Sequence, residues 1–201
     1  MELILASGSS RRAELLKNCG YEFTVVKSEA DESLVVCGDP AELVERLSLL
    51  KARSVFDSLD GNRKRGSVVL GSDTVVVLDG RVLGKPADEE DAYEMLRAES
   101  GRMNTVYTGV AAVSFVNGAV KETAAHDAAR VFFSELTDSE IRDYIATGEP
   151  MDKAGAYGIQ GVFSIFIERI EGSYFTVVGL PVNLAYRMLR EAGAVPAAFS
   201  K

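Results

Sequence analysis

Apolar and polar positions change rhythm several times along this chain. Leu3–Ala6 is a short apolar run, which predicts a buried strand, and a Gly/Ser patch then leads into a helix. Ser9 or Ser10 suits the N-cap, Leu15, Leu16 and Cys19 form the apolar stripe to about Asn18, and Gly20 suits the position past the end. Phe23–Val26 is a second candidate strand. Asp39 then serves as N-cap for a longer helix, with Pro40 at its first position, Glu42 three residues after the cap, and Leu43, Leu47, Leu50 and Phe56 at near-helical spacing. "SVVLGSDTVVVLDGRVL" reads as two β-branched runs broken by Gly71-Ser72-Asp73, with Asp79-Gly80 as a hairpin turn.

A helix from about Asp88 to Glu99 follows, closed by Gly101. Thr105–Phe115 and Ala119–Phe133 flank Asn117-Gly118, a strong hairpin signal. Thr137 and Glu140 form a capping box that opens a helix to about Thr147. The Gly-dense "GEPMDKAGAYGIQG" has no regular period. Strands are predicted at about Val162–Ile170 and Tyr174–Val178, joined by Glu171-Gly172-Ser173, and Pro181 starts a last helix to about Glu191. Without repeats or long linkers, the pattern predicts one α/β domain over residues 1–201 on a mixed sheet, with the tail "AVPAAFSK" loosely ordered. The long hairpins exclude a purely parallel doubly wound fold.

Composition narrows the function. The 201 residues carry a net charge of −8, which argues against non-specific nucleic-acid binding, a task for a basic face. No apolar run reaches the ~18 residues of a membrane span, and the start "MELILASGSSRR" has no basic region ahead of an apolar one, as a signal peptide would. Two cysteines, Cys19 and Cys37, make no disulfide framework, and a single histidine makes a zinc site improbable. A reducing, cytoplasmic setting is expected. Any polyanion would have to be met by a local basic pocket.

Four segments place polar groups where folding alone would not. In "SGSSRR", Arg11 and Arg12 open a helix whose dipole disfavours cations at that end. Helix N–H groups, the hydroxyls of Ser7 and Ser9, and two guanidiniums would together cradle a phosphate; the alternative is a solvated surface pair. Asp73 lies between apolar runs, where a carboxylate is costly unless paired or metal-bound; it sits in a turn, holds Mg²⁺, or takes a proton from an attacking water. Ser72 and Thr74 beside it add hydroxyls. Lys85 in "LGKP" is either an exposed loop lysine or a phosphate ligand, and Lys51, beside an apolar stripe, reads first as snorkelling. The fourth segment, "EPMDKAGAYGIQG", lets backbone approach a ligand closely, and Gln160 offers a donor and an acceptor to a base edge. Cations, a carboxylate and an amide together suit a nucleoside triphosphate with Mg²⁺, although no GxxxxGK[ST] or kinase signature occurs.

In this order, "LASGSSRRAELL", "ADES", "KA", "GSDTVV", "GKP", "YTGV", "DKAGAYGIQG" and "GSYFTVVGLP" closely resemble the Maf family, from Leu3 to about Leu189. The resemblance implies an elongated mixed β-sheet flanked by helices, with a cleft between two lobes as in inosine triphosphatase. It implies a nucleoside triphosphate pyrophosphatase that cuts the α–β phosphate bond, a role in clearing the nucleotide pool, and a homodimer. The implied cofactor is a divalent cation, Mg²⁺ first, with Mn²⁺ or Co²⁺ as alternatives. Residue by residue, Asp73 matches the family's proton acceptor, and Glu32 in "ADES" a second acidic residue near the metal. Arg12, Lys51 and Lys85 match the phosphate-holding cations, and Arg11, Thr74 and Gln160 match positions linked to substrate choice. "GIQG" with "SDT" resembles the branch acting on dTTP and UTP. The alternatives are a pyrophosphatase for a modified purine such as 7-methyl-GTP, or a non-catalytic nucleotide-binding regulator of septum formation. One departure is Ser10, where the family usually has proline.

Overall fold

The computed structural model describes residues 1–199; Ser200 and Lys201, the end of the expected loose tail, lie outside the described residues. The chain runs β1 (Glu2–Leu5), α1 (Ser10–Asn18), β2 (Thr24–Val25), a 3-10 turn at Glu32–Leu34, α2 (Pro40–Ser58), α3 (Gly61–Gly66), β3 (Ser67–Leu78), β4 (Arg81–Leu83) and α4 (Glu89–Glu99). It continues through β5 (Met103–Val116), β6 (Ala119–Phe133), α5 (Asp138–Ile145), 3-10 turns at Glu149–Asp152, Ala154–Ala156 and Val162–Phe166, then β7 (Ile167–Glu171), α6 (Tyr174–Val178), α7 (Val182–Glu191) and a last turn at Ala197–Phe199.

Seven strands form one mixed sheet in the order β2-β1-β3-β5-β6-β7, with β4 beside β3. β1 is parallel to both β2 and β3, pairing Leu5 with Val25 and Leu70, so each connection needs a crossover, and α1 and α2 supply them. The tight turns follow the sequence: Asp79 (φ 50°) and Gly80 (φ 75°) turn β3 into antiparallel β4, and Asn117 (φ 52°) and Gly118 (φ 83°) join β5 to β6. Asp39 caps α2 by accepting from Ala41 N–H, and Thr137 and Glu140 complete a capping box on α5.

Three expectations fail. β3 runs unbroken through Gly71-Ser72-Asp73, so Asp73 lies within a strand and not in a turn. Val162–Phe166 is a 3-10 turn, with only Ile167–Glu171 extended. Tyr174–Val178 is a helical turn despite its β-forming residues: Ser173 O accepts from Thr176 and Val177 N–H, and Gly179 (φ 117°) ends it. Short helix α3, capped by Asp60 through Asn62 and Arg63 N–H, has no apolar period to announce it. Near the carboxyl end, Ala194 and Pro196 are buried and Ala197 N–H donates to Gly20 O.

The chain divides into two compact units: Met1–Asp73 with Thr108–Asp127 and the segment from Gly179 onward, and Thr74–Tyr107 with Ala128–Val178. The first is built on Ile4, Val55, Phe56, Val69 and Val113, among others. The second is built on Leu96, Val131, Phe133, Ile141, Tyr144, Tyr157 and Phe163. Among the described residues no helix is long and apolar enough to cross a membrane.

Candidate functional site

In the first unit, two glycines bring α2 down onto the sheet. A Cβ on Gly71 of β3 would overlap Ser48 O and stand 2.9 Å from Ala52 N, and one on Gly109 of β5 would overlap the Val44 carbonyl. Only bare backbone lets the helix lie this close. Side chains alternate along a strand, so Asp73 shares the face of Gly71, under α2. Lys51 of α2 meets it there: its ammonium lies 2.5 Å from Asp73 Oδ1 and 3.0 Å from Glu32 Oε2, on the 3-10 turn after β2. Lys51 is therefore not snorkelling. Its side chain is 13% exposed and Asp73's 12%, while Glu32 is open at 54%. An ammonium between two carboxylates offsets the desolvation that makes a lone carboxylate so costly within a sheet.

Arg12 enters the same unit from the first turn of α1. That turn holds no acidic residue, and Ser9, the N-cap, makes no side-chain capping bond. Instead Ser9 N–H donates to Ser7 Oγ at 3.2 Å. Arg12 Nε donates to Gly179 O at 2.8 Å and Nη1 to Ser7 Oγ at 3.2 Å. Ser72 Oγ, buried, lies 2.8 Å from Gly109 O and 3.1 Å from the same Gly179 O. Gly179 O thus ties Arg12 to the residue preceding Asp73. Burial pulls the Arg12 pKa down; Asp73 and Glu32 oppose it, and neighbouring Arg11, half-buried, adds to it. The unit therefore gathers Ser7, Ser9, Arg11, Arg12, Glu32, Lys51 and Asp73, three cations against two carboxylates, with Lys51 and Asp73 largely buried and Glu32 open to solvent.

The second unit holds the other three predicted residues. Thr74 follows Asp73 on β3 and is half-buried. Lys85 is exposed after β4, and its loop is pinned where Gly155 N–H donates to Gly84 O at 3.0 Å, joining "LGKP" to the Gly-dense segment. Gln160 is exposed, but residues 155–158 before it are buried, and Ala154 and Ile159 on either side of them are half-buried. Beneath them Phe163 packs on Tyr144, Tyr157 and Phe133 at centroid distances of 4.9, 5.4 and 5.7 Å. This segment also involves Glu149 and Tyr144, which the sequence does not single out. The glycine pair at 158 and 161 was the only available signal, since it marks a close neighbour without naming it.

The only carboxylates among the predicted residues are Glu32 and Asp73, hard oxygen donors suited to Mg²⁺. No cluster of three or more His, Cys, Asp or Glu side chains able to hold a metal occurs among the described residues. A cation there would take its remaining ligands from water and bound phosphate, the usual habit of Mg²⁺.

An α/β fold with a mixed seven-stranded sheet and this charged set places the chain in a known class: it belongs to the Maf-like protein family, whose model matches residues 2–192. Among its relatives, the dTTP/UTP pyrophosphatase of Symbiobacterium thermophilum is 50% identical, covering 96% of this chain and 94% of that protein. Proteins of the same name from Pelotomaculum thermopropionicum and Clostridium tetani are 48% and 45% identical, each over 96% of this chain and 97% and 98% of their own lengths.

Proposed function

We propose that this protein is a pyrophosphatase for dTTP and UTP, releasing the nucleoside monophosphate and pyrophosphate. The observation that carries the reading is the Lys51 ammonium seated between Asp73 and Glu32, with Arg12 linked to the same strand through Gly179 O. A triphosphate brings about four negative charges to a chain of net charge −8, so local cations must supply the attraction. Arg12, Lys51 and Lys85, with Ser7 and Ser9, hold the phosphates. Asp73 accepts the proton of the water that attacks the α-phosphorus. The bond from the α-phosphorus to the α–β bridging oxygen breaks, and its electron pair leaves on that oxygen with pyrophosphate. Glu32 and Asp73 would hold the divalent cation, which when bound neutralises charge on the phosphates. Arg11, Thr74 and Gln160 bear on the choice of nucleotide, Gln160 through an amide able to pair with a pyrimidine edge.

The relatives' names support the substrate, and the free cysteines Cys19 and Cys37 support a reducing, cytoplasmic setting. The homodimer rests on family resemblance and is checked by sedimentation. The test of activity is pyrophosphate release across canonical and modified nucleotides, with and without Mg²⁺, Mn²⁺ or Co²⁺. Cation-dependent release from dTTP and UTP is expected. A preference for 7-methyl-GTP would overturn the substrate, and binding without release from any nucleotide would overturn the enzyme.

A further inference from the structure

The turn that carries Gln160 is wrapped around a carboxylate. Glu149 is half-buried at the start of a 3-10 turn and reaches into the curve of residues 158–162. Its Oε2 accepts from Val162 N–H at 3.0 Å, and its Oε1 accepts from the Tyr144 hydroxyl at 3.2 Å. The same hydroxyl accepts from Gly158 N–H at 3.2 Å. Both ends of the turn therefore hang from one Glu–Tyr pair, and the tyrosine uses its proton on one side and a lone pair on the other.

The two glycines are what this wrapping demands. A Cβ on Gly161 would overlap the Glu149 carboxylate, and one on Gly158 would stand 2.8 Å from Glu149 Oε1 and 2.6 Å from Lys153 Cε. The other side is fixed as well: Lys153 Nζ donates to Glu149 O at 2.6 Å and pairs with Asp152 at 2.7 Å. Tyr144 is 3% exposed, its ring packed against fully buried Phe163. Gln160 is thus an exposed side chain on a backbone with little freedom.

We propose that Glu149, acting through Tyr144 and the turn 158–162, is a positioning residue for base selection, setting the place from which Gln160 meets the nucleobase. The proposal rests on Gln160 being the base-contacting residue. Glu149→Gln keeps the shape of the side chain but cannot satisfy the network. Its amide nitrogen would face either Val162 N–H, donor against donor, or the Tyr144 hydroxyl, which would lose the acceptor for its proton.

The test measures kcat and KM for dTTP, dCTP and dGTP in wild type, Glu149→Gln, Tyr144→Phe, Gln160→Ala and the double variant Glu149→Gln/Gln160→Ala, with melting temperatures. Glu149→Gln and Tyr144→Phe are expected to cut the preference for dTTP about 5-fold, as loss of a hydrogen bond of ~1 kcal/mol implies, mainly through KM. The double variant should discriminate no worse than Gln160→Ala alone. Additive losses, or unchanged preference in both Glu149→Gln and Tyr144→Phe beside a loss in Gln160→Ala, would overturn the positioning role and leave the base reader standing. Unchanged preference in Gln160→Ala would overturn the base reader and the proposal with it. Should Glu149→Gln fail to fold, Tyr144→Phe carries the test, because it keeps the ring on Phe163 and removes only the hydroxyl.

Discussion

The two units hold their polar groups by opposite means. In the first, Asp73 stands on β3, Lys51 on α2 and Arg12 on α1, each fixed by a regular element and each meeting another charge or a backbone carbonyl directly. In the second, Gln160 stands on an irregular turn, fixed by glycines, a Glu–Tyr clasp and an aromatic cluster beneath. Charged chemistry gains from rigid elements, since a desolvated carboxylate must be met within hydrogen-bond distance or it is costly. A glycine-rich turn can instead take a backbone shape that a regular element does not offer, which is the setting of Gln160. Substitutions of Asp73, Lys51 and Arg12 should therefore change rate, and those of Gln160 and the groups that fix its turn should change preference.

The sharpest break of that contrast is Asp73→Asn. The amide cannot take a proton, so pyrophosphate release should fall by about 10²- to 10⁴-fold. Lys51 keeps Glu32 as a partner, so the melting temperature should move little beside that loss. Turnover within tenfold of wild type would remove Asp73 as the proton acceptor. Next comes Arg12→Lys. The lysine retains charge but not the fork that engages Gly179 O and Ser7 Oγ together, so kcat/KM should drop roughly 10- to 100-fold. A drop in melting temperature with unchanged kcat/KM would return Arg12 to a purely structural place.

A third variant separates architecture from chemistry. Gly109→Ala puts a methyl into the Val44 carbonyl, so α2 must shift. The cost should be about 1–3 kcal/mol in chemical denaturation, with activity falling as Lys51 is carried away from Asp73. Unchanged stability and activity would show that the helix is not held by this close approach.

These positions also show why the sequence was legible in some places and not in others. Local chemistry gave the hairpin turns, the capping box and the α2 cap, because each is decided within a few residues. The break read at Gly71-Ser72-Asp73 came from three good turn formers whose native reasons are all distant. Gly71 yields to α2, the Ser72 hydroxyl meets Gly109 and Gly179 carbonyls, and Asp73 meets Lys51. Tyr174–Val178 misled for the same reason: its β-branched and aromatic residues give a strand signal that tertiary context overrides. Arg12, Lys51 and Asp73 stood out as charges out of place. Glu149 did not, because an acid in a polar stretch looks ordinary until Val162 N–H is found thirteen residues away.

The last effect is one of pH on stability rather than on turnover, and it belongs to the second unit. Glu99 ends α4 fully buried, its Oε1 accepting from Asn104 Nδ2 at 2.6 Å while Oε2 has no hydrogen-bond partner among the described residues. Burial pushes its pKa up to about 8, against an ordinary 4.5. Between those values the folded state binds a proton that the unfolded state releases, so stability falls as pH rises. The slope is at most ~1.4 kcal/mol per pH unit for one group. Glu99→Gln keeps the hydrogen bond from Asn104 and carries no charge, so chemical denaturation between pH 5 and 8 should show a flatter profile than wild type. Its Oε1 would lie 3.3 Å from a Cβ at Gly155, at the start of the buried stretch leading to Gln160. Hydrogen exchange in residues 155–158 should therefore quicken above pH 8 in wild type and less so in the variant. Parallel stability profiles would mean that Glu99 does not titrate there, leaving the second unit no more sensitive to pH than the first.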